Sequence, residues 1–150
     1  MNTLKFLKQP NTHSCGPTSL VIVLRSFGFN KINIDQFKAR KNGYTRNLLI
    51  QQLNNININV VAQNFARNKT IDEFKNSILF FMQRENTRII FHYKTIPEHP
   101  KGHFSPIIHA DENSVTILDT SRTKSKCIDK ISWTSAFLAA KYRGFIVFTF

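Results

Sequence analysis

The apolar residues of this chain change their spacing near its middle, and this change constrains the fold more than any other feature. In the first half, Leu20, Val23 and Leu24 lie at helical spacing, and the pattern ends at Gly28, a residue typical of helix C-termini. In the second half, β-branched and aromatic residues form short runs, which predict strands at 88–93, 103–110, 114–120 and 144–150. Helices followed by neighbouring strands are typical of an α+β fold with a mainly antiparallel sheet.

Local signals predict the remaining elements. The clearest is Thr70, which has Glu73 three residues later and therefore forms a capping box in front of an apolar stripe. Thr45 and Ser132 are similar candidates for the residue that starts a helix. The further predicted elements are helices over 35–41, 45–54, 70–84 and 132–141, a half-buried strand over 55–60, and loops at 94–102 and 121–129.

Length and composition indicate one domain without a membrane span. A chain of 150 residues, 41% of them hydrophobic, suffices for a single core, so we expect one catalytic domain over residues 1–150. No apolar stretch approaches the roughly 18 residues that a membrane span needs. The N-terminus lacks the apolar region of a secretory signal, which predicts a cytoplasmic protein and leaves export as an effector open. Two cysteines do not make a disulfide framework.

The charge balance is strongly positive. The chain has 21 Lys and Arg residues against 9 Asp and Glu residues, which gives a net charge of +12 at pH 7. Such an excess attracts anionic partners over long distances. The basic residues are dispersed, and no zinc-finger or RNP motif occurs, so we expect no nucleic-acid partner. A non-catalytic basic binding module is one interpretation of the charge, and the oligomeric state is left open.

Cys15 lies at the predicted start of the first helix. Ser14 is a candidate N-cap, and Pro17 falls in the first turn, where proline is tolerated. The positive end of a helix dipole and a nearby protonated histidine favour the thiolate, which is the nucleophilic form of cysteine. Taken alone, a cysteine in this position is more often a small buried apolar residue. Cys15 becomes a candidate nucleophile only together with a base.

The base must come from one of five histidines, which are His13, His92, His99, His103 and His109. His103 is favoured because a polar turn separates its strand from the strand that ends at Asp119. A hairpin centred on Asp111 places the two residues opposite each other, and one centred on Glu112 places them one diagonal step apart. Their side chains share a face in both registers. We expect the carboxylate to orient the imidazole through Nδ1 and to favour the imidazolium that balances a thiolate.

Gln9 is a candidate oxyanion donor because it lies six residues before Cys15. Its side-chain amide can act together with the backbone N–H of the nucleophile, and one such donor is typically worth about a hundredfold to a thousandfold in rate. The chain order Gln9, Cys15, His103, Asp119 therefore indicates acyl transfer to a thiol.

These residues and their surroundings resemble the papain-like cysteine peptidases, and in particular the phytochelatin synthase family. The resemblance runs from Gln9 to the C-terminus. It is carried by GHFSPI at 102–107, ILD at 117–119 followed by Arg122 and Lys124, TIDEFK at 70–75, and RGFIVF at 143–148. It implies a papain-like fold, in which the nucleophile lies at a helix start and the N-terminal helices pack on a sheet that carries His103 and Asp119.

The resemblance also implies an activity on glutathione or a related γ-glutamyl peptide. Cys15 would attack the Cys-Gly bond, release glycine and hold a γ-glutamylcysteinyl thioester. His103 would act as base and then as acid, Asp119 would orient it, and Gln9 would complete the oxyanion hole. Water would then complete a hydrolysis, or a second glutathione would complete a transpeptidation that builds phytochelatin.

Further expectations follow from the same resemblance. Arg122 and Lys124 are candidates to hold a substrate carboxylate, with a solvated loop charge as the alternative. The thioester chemistry requires no cofactor, and a divalent metal would enter as a metal–thiolate substrate or as an activator. Cys127 is interpreted as a structural thiol rather than a metal ligand, and no metal-site residues are predicted.

One alternative comes from the sequence around the nucleophile itself. CGPTSL at 15–20 also resembles the double-glycine leader peptidases of the same superfamily. A cysteine peptidase that cleaves a polypeptide is therefore the alternative enzyme.

Overall fold

The computed structural model describes residues 2–94 and 102–150, which form four α-helices and six strands. The helices are α1 (Cys15–Ser26), α2 (Arg46–Asn55), α3 (Ile71–Met82) and α4 (Trp133–Ala139). The strands are β1 (Val61–Ala66), β2 (Thr87–Tyr93), β3 (His103–Ala110), β4 (Ser114–Leu118), β5 (Ile128–Ser132) and β6 (Gly144–Thr149). All neighbouring strands pair antiparallel, in the order β1-β6-β2-β3-β4-β5. The α+β prediction is confirmed.

Helices cover both faces of the sheet. Successive side chains of a strand point to opposite faces, so Ile90 and Ile146 pack with residues of α1 and α2. Phe91 and Phe145 lie on the other face, in a cluster with Phe74 of α3 and with residues of α4. Because both faces are buried, β2 and β6 read as continuous apolar runs. Within the described ranges, no helix is long and apolar enough to cross a membrane.

Three of the four predicted helix starts carry the expected cap. The hydroxyls of Thr45, Thr70 and Ser132 each accept a hydrogen bond from the backbone N–H three residues later. Ser14 also occupies the N-cap position of α1, but its hydroxyl makes no capping bond. It donates instead to the carbonyl oxygen of Asn11, at 3.1 Å. The side-chain cap predicted for Ser14 is therefore wrong.

The predicted helix over 35–41 is reduced to a single 3-10 turn, Ile34–Gln36. Phe37 ends the turn with extended backbone angles and is buried in the core. The backbone N–H of Lys38 then donates to the side chain of Gln52 in α2, at 3.1 Å. Core burial and contacts with α2 replace the helical hydrogen bonds that the local sequence favours.

The predicted strand over 55–60 is also wrong, because strand pairing begins at Val61. α2 continues to Asn55, and Asn57 follows it with a positive φ of 51°. Ile58 and Val60 pack against the α1 side of the core. The alternation in this segment therefore reports the burial of a connecting segment rather than sheet pairing.

β5 begins inside the predicted loop at 121–129. Ile128 is paired with Leu118 of β4, although its side chain is 65% exposed. Asp129 and Lys130 are poor strand formers. Charge and short length are typical of an edge strand, and β5 lies at the edge of the sheet. Because the strand lacks a continuous apolar run, the sequence pattern predicts a loop for its first residues.

α1 packs against β3 and brings its first turn close to the first residues of that strand. The hydroxyl of Ser19 donates to the carbonyl oxygen of Phe104, at 3.1 Å. Gly16 lies beside the Phe104 ring, and a Cβ there would be in van der Waals contact with it at 3.4 Å. This packing sets the start of α1, with Cys15, beside the start of β3, with His103.

Candidate active site

Cys15 lies close enough to His103 that its thiol helps to raise the pKa of the imidazole. Cys15 is the first residue of α1 and is 7% exposed. The first backbone N–H groups of an α-helix have no acceptor within the helix, and the Ser14 hydroxyl does not cap them. The start of α1 can therefore stabilise negative charge on the thiol or on a reacting carbonyl oxygen.

Asp119 holds the other side of the His103 ring. Its Oδ1 lies 2.9 Å from Nε2, and both residues are buried. Ile107 is paired with Ile117, the register of a hairpin centred on Glu112, so His103 and Asp119 are diagonal neighbours. The predicted shared face is observed. The predicted contact through Nδ1 is wrong, because the ring presents Nε2 to the carboxylate.

The electrostatics of the pair favour a charged imidazolium. Burial by itself lowers the pKa of His103, but the hydrogen bonds to Asp119 and Cys15 and the negative charge of both groups raise it to about 9. Burial by itself raises the pKa of Asp119, but hydrogen bonds from His103 and Ser121 hold it well below its usual range. The backbone N–H and hydroxyl of Ser121 donate to Oδ1 at 2.9 and 2.6 Å. At pH 7 the structure therefore favours protonated His103 beside ionised Asp119.

Arg122 lies on Asp119. Its Nε donates to Asp119 Oδ2 at 3.2 Å, and its guanidinium is also 3.8 Å from Asp129. The sequence analysis predicted that this guanidinium binds a substrate carboxylate. In the structure it bonds the carboxylate of Asp119. Lys124 has an exposed side chain on the same loop, and its proposed contact with substrate stays a prediction.

Gln9 is buried beside the same loop. Its backbone N–H donates to the carbonyl oxygen of Thr120 at 3.0 Å, and its side-chain Oε1 accepts from the Thr120 hydroxyl at 2.8 Å. At the other end of the amide, Nε2 donates to the carbonyl oxygen of Asn11 at 2.8 Å. Because Asn11 also bonds Ser14, the residue before Cys15, the NH2 end of Gln9 faces the start of α1.

His92 lies on β2, the strand that pairs with the strand of His103, and it is unsuited to act as a base. Its ring stacks on Phe104, with centroids 4.1 Å apart, and its Nδ1 accepts from Arg46 at 3.0 Å. Burial, followed by the charges of Arg46, Arg143 and His103, lowers the pKa of His92 to about 3. His92 is therefore neutral, and its buried Nε2 has no hydrogen-bond partner among the described residues.

A cationic pocket of about 1000 Å³ opens beside His92. Its basic lining is Lys94, Lys141 and Arg143, and no carboxylate lines it in the part of the chain that the structure describes. Gly102 adjoins it with φ 95°, and a Cβ there would lie 2.6 Å from Arg143 Nε. The sequence analysis quoted RGFIVF only for its resemblance and did not identify this pocket, because its residues come from three separate segments.

The remaining candidates are three histidines and Cys127. His109 is exposed and lies 3.4 Å from Asp111, His13 is exposed, and His99 falls outside the described residues. Cys127 is buried with Ile22 and Leu118, and its thiol donates to a backbone carbonyl. In residues 2–94 and 102–150, no three His, Cys, Asp or Glu side chains come together in a group that could hold a metal ion.

The fold is that of the papain-like C39 peptidase domains. The peptidase domain of Streptococcus ComA, a bifunctional ABC transporter involved in quorum sensing, is 17% identical with a TM-score of 0.68, covering 97% of this chain and 98% of that one. A C39-like peptidase from Bacillus anthracis is 14% identical with a TM-score of 0.67, covering 98% and 94%. A double glycine motif protease from an AMS/PCAT transporter, solved with its leader peptide, is 17% identical with a TM-score of 0.65, covering 99% and 94%.

Fold and site together define the class of this protein. A cysteine at a helix start, close to a histidine that is held by an aspartate, is the arrangement of a papain-like cysteine enzyme. No curated protein sequence matches the chain significantly. The sequence model of the phytochelatin synthase family matches residues 29–128, a segment that contains His103 and Asp119. The chain belongs to the phytochelatin synthase family.

Proposed function

We propose that this chain transfers the γ-glutamylcysteinyl group of glutathione through Cys15. The thiolate attacks the carbonyl carbon of the Cys-Gly bond, glycine leaves, and a thioester remains on Sγ. Water then releases γ-glutamylcysteine, or the α-amino group of a second glutathione attacks and lengthens the chain. The observation that carries this proposal is the hydrogen bond between His103 and Asp119, with Cys15 close enough to raise the pKa of His103, in a member of this family.

The side chains of this protein account for each proton transfer. Protonated His103 gives its proton to the departing amine of glycine, and the neutral ring then takes a proton from the incoming water or amine. Asp119 keeps the ring oriented through Nε2. The backbone N–H of Cys15 and the amide of Gln9 donate to the oxyanion of each tetrahedral intermediate. A donor aimed at the developing negative charge accelerates acylation and deacylation alike.

The cationic pocket supports glutathione as the substrate. Glutathione carries two carboxylates and one ammonium, so its net charge is opposite to that of the lining. Lys94, Lys141 and Arg143 face this pocket beside the strand of His103. A carboxylate would also relieve the repulsion between Arg143 and Arg46, which together lower the pKa of His92. Arg143 is half-buried, and Lys94 and Lys141 are exposed; an arginine of this kind is typical of carboxylate recognition.

We also propose how metal and cellular location enter. The thioester chemistry uses only groups of the chain, so a divalent metal takes part as a thiolate complex of the substrate or as an activator. Reduced glutathione is the thiol buffer of the cytosol, which makes the cytoplasm the proposed place of action.

The test is product analysis after incubation with glutathione. We expect free glycine and γ-glutamylcysteine, or longer γ-glutamylcysteinyl chains, by mass spectrometry. Cys15→Ser abolishes both products and leaves the circular dichroism spectrum unchanged. Absence of glycine release, with and without a divalent metal, contradicts the proposal.

A peptidase acting on a polypeptide is the second candidate. A second pocket of about 600 Å³ lies at the start of α1, lined by residues that include Asn11, His13, Pro17 and Tyr44. Tyr44 also lines the cationic pocket, so the two pockets adjoin and together offer room for an extended chain. The structurally similar double glycine motif protease was solved with a leader peptide.

Alkylation of Cys15, peptide cleavage and polymer binding separate the two enzyme candidates from a non-catalytic binding module. A peptidase has a Cys15 that iodoacetamide alkylates rapidly, cleaves a peptide containing a double-glycine site, and leaves glutathione intact. A binding module has a Cys15 that reacts no faster than an ordinary buried thiol and binds anionic polymers with a steep dependence on salt.

A further inference from the structure

Thr120 connects the two halves of the candidate site. It follows Asp119 directly and is fully buried. Its hydroxyl donates to Gln9 Oε1 at 2.8 Å, and its carbonyl oxygen accepts from the Gln9 backbone N–H at 3.0 Å. The segment that carries the oxyanion donor is thereby attached to the turn that carries the triad carboxylate.

The hydroxyl matters because a glutamine amide has two ends of nearly the same shape. Only the NH2 end can donate to an oxyanion, and the oxygen end would repel it. The carbonyl oxygen of Asn11 can only accept, so the group 2.8 Å from it must be the NH2 of Gln9. The other end is then Oε1, which requires a donor, and the Thr120 hydroxyl supplies that donor.

The NH2 group of Gln9 has two hydrogens and uses one of them on Asn11. Asn11 also accepts from Ser14, immediately before Cys15. The second hydrogen is the one that our proposal assigns to the oxyanion of an acyl group on Cys15.

We propose that Thr120 is a positioning residue that holds the Gln9 amide in the orientation required for oxyanion stabilisation. This inference rests on the proposed function in one respect: it requires that Cys15 forms a tetrahedral acyl intermediate. It does not depend on which acyl donor is used.

The decisive variant is Thr120→Val, which keeps the shape and removes the hydroxyl. One oxyanion donor is typically worth about a hundredfold to a thousandfold, and a misoriented donor retains part of that, so we expect kcat to fall roughly tenfold to a hundredfold. KM for glutathione stays nearly constant. Thr120→Ser keeps the hydroxyl and restores most of the rate.

Two reactions of Cys15 separate orientation of Gln9 from damage to the nucleophile. Acylation by p-nitrophenyl acetate passes through an oxyanion, whereas alkylation by iodoacetamide does not. In T120V we expect slow acylation and unchanged alkylation. Equal slowing of both reactions, or acylation at the wild-type rate, overturns the inference. Slow acylation in T120V together with wild-type protein that ignores glutathione supports Thr120 and contradicts the proposed substrate.

Thr18 offers a matched control. It is also a fully buried threonine, but its hydroxyl has no hydrogen-bond partner in the part of the chain that the structure describes. Thr18→Val should change neither acylation nor alkylation. A loss of acylation equal to that of T120V would mean that burial of any valine near the site suffices, which overturns the inference.

Introducing Thr120→Val into the Gln9→Ala variant separates an effect on Gln9 from an effect on folding. In Gln9→Ala the amide is absent, so Thr120→Val leaves no buried carbonyl group without a donor. If Thr120 acts through Gln9, the double variant acylates as slowly as Q9A alone. A further loss of roughly tenfold in the double variant contradicts the inference.

Discussion

At the scale of single residues, the charge of His103 is the feature with the clearest consequence for stability. Its pKa of about 9 in the fold exceeds the ordinary value of 6.5. A raised histidine pKa stabilises the fold fully below pH 6.5, and the contribution is lost as the pH rises through about 9. The protein should therefore be less stable at alkaline pH for a reason that resides in its active site.

This effect can be isolated by comparison with His103→Gln, which cannot titrate. A shift of this size corresponds to about 3 kcal/mol. We expect the difference in unfolding free energy between wild type and H103Q to fall by about this amount between pH 6.5 and a pH above 9, as measured by urea denaturation. A difference that stays constant over that range would show that the imidazolium is not stabilised.

Arg122, predicted from the sequence to hold a substrate carboxylate, contacts Asp119 in the structure. Its guanidinium bonds Asp119 at 3.2 Å and is 50% exposed. A half-exposed ion pair is worth at most about 1 kcal/mol, so Arg122→Gln should lower kcat roughly fivefold by loosening the carboxylate. KM for glutathione should hardly change.

Steady-state kinetics decide between the two roles of Arg122. A substrate-binding guanidinium would raise KM and leave kcat in place. Lys126→Gln is the matched control on the same loop, because its side chain is exposed and it is not a candidate for substrate binding. If R122Q raises KM and leaves kcat unchanged, the guanidinium serves the substrate, as the sequence predicted.

At the scale of elements, the start of β3 determines how the candidate site and the cationic pocket meet. Gly102 precedes His103 and has φ 95°. A Cβ at this position would lie 2.6 Å from Arg143 Nε and 2.9 Å from His92 Nε2. Glycine is therefore required here both for the backbone angle and for the space.

Gly102→Ala should displace Arg143 and strain the residue next to His103. Strain of this kind costs of order 1–3 kcal/mol, so kcat/KM for glutathione should fall about tenfold or more. Gly43→Ala is the control, since Gly43 has φ 72° but open space around it. Equal losses in both variants would assign the effect to backbone angle alone and not to the pocket.

At the scale of the whole molecule, the net charge of +12 and the cationic pocket act in the same direction. At 0.1 M salt the Debye length is about 10 Å, and interactions between exposed charges that are farther apart than this are largely screened. KM for glutathione should therefore rise severalfold from low to high ionic strength.

Two reagents without carboxylates control for this effect. Alkylation by neutral iodoacetamide should depend little on salt, and KM for a glutathione diester, which keeps only the ammonium charge, should not rise with ionic strength. If the diester shows the same salt dependence as glutathione, the effect acts on the protein and not on recognition of carboxylates.

Most of the fold was predictable because its signals are local. The capping hydroxyls of Thr45, Thr70 and Ser132 act within one turn of their helices, and the apolar runs of β2, β3, β4 and β6 are continuous in sequence. The errors fall where tertiary contacts outweigh local preference. Residues 55–60 alternate because they connect a helix to the sheet across the core, and β5 forms because β4 offers it a partner.

The sequence alone determined which residues could meet: a cysteine at a helix start, and a histidine and an aspartate on one face of a hairpin. It did so because helical and strand periodicities depend only on neighbours along the chain. Tertiary structure decided the ring nitrogen that faces Asp119, the use of Arg122, the cationic pocket and the hydrogen bond from Thr120 to Gln9. These contacts join segments far apart in sequence, and their geometry depends on how α1, the N-terminal segment and the sheet pack together.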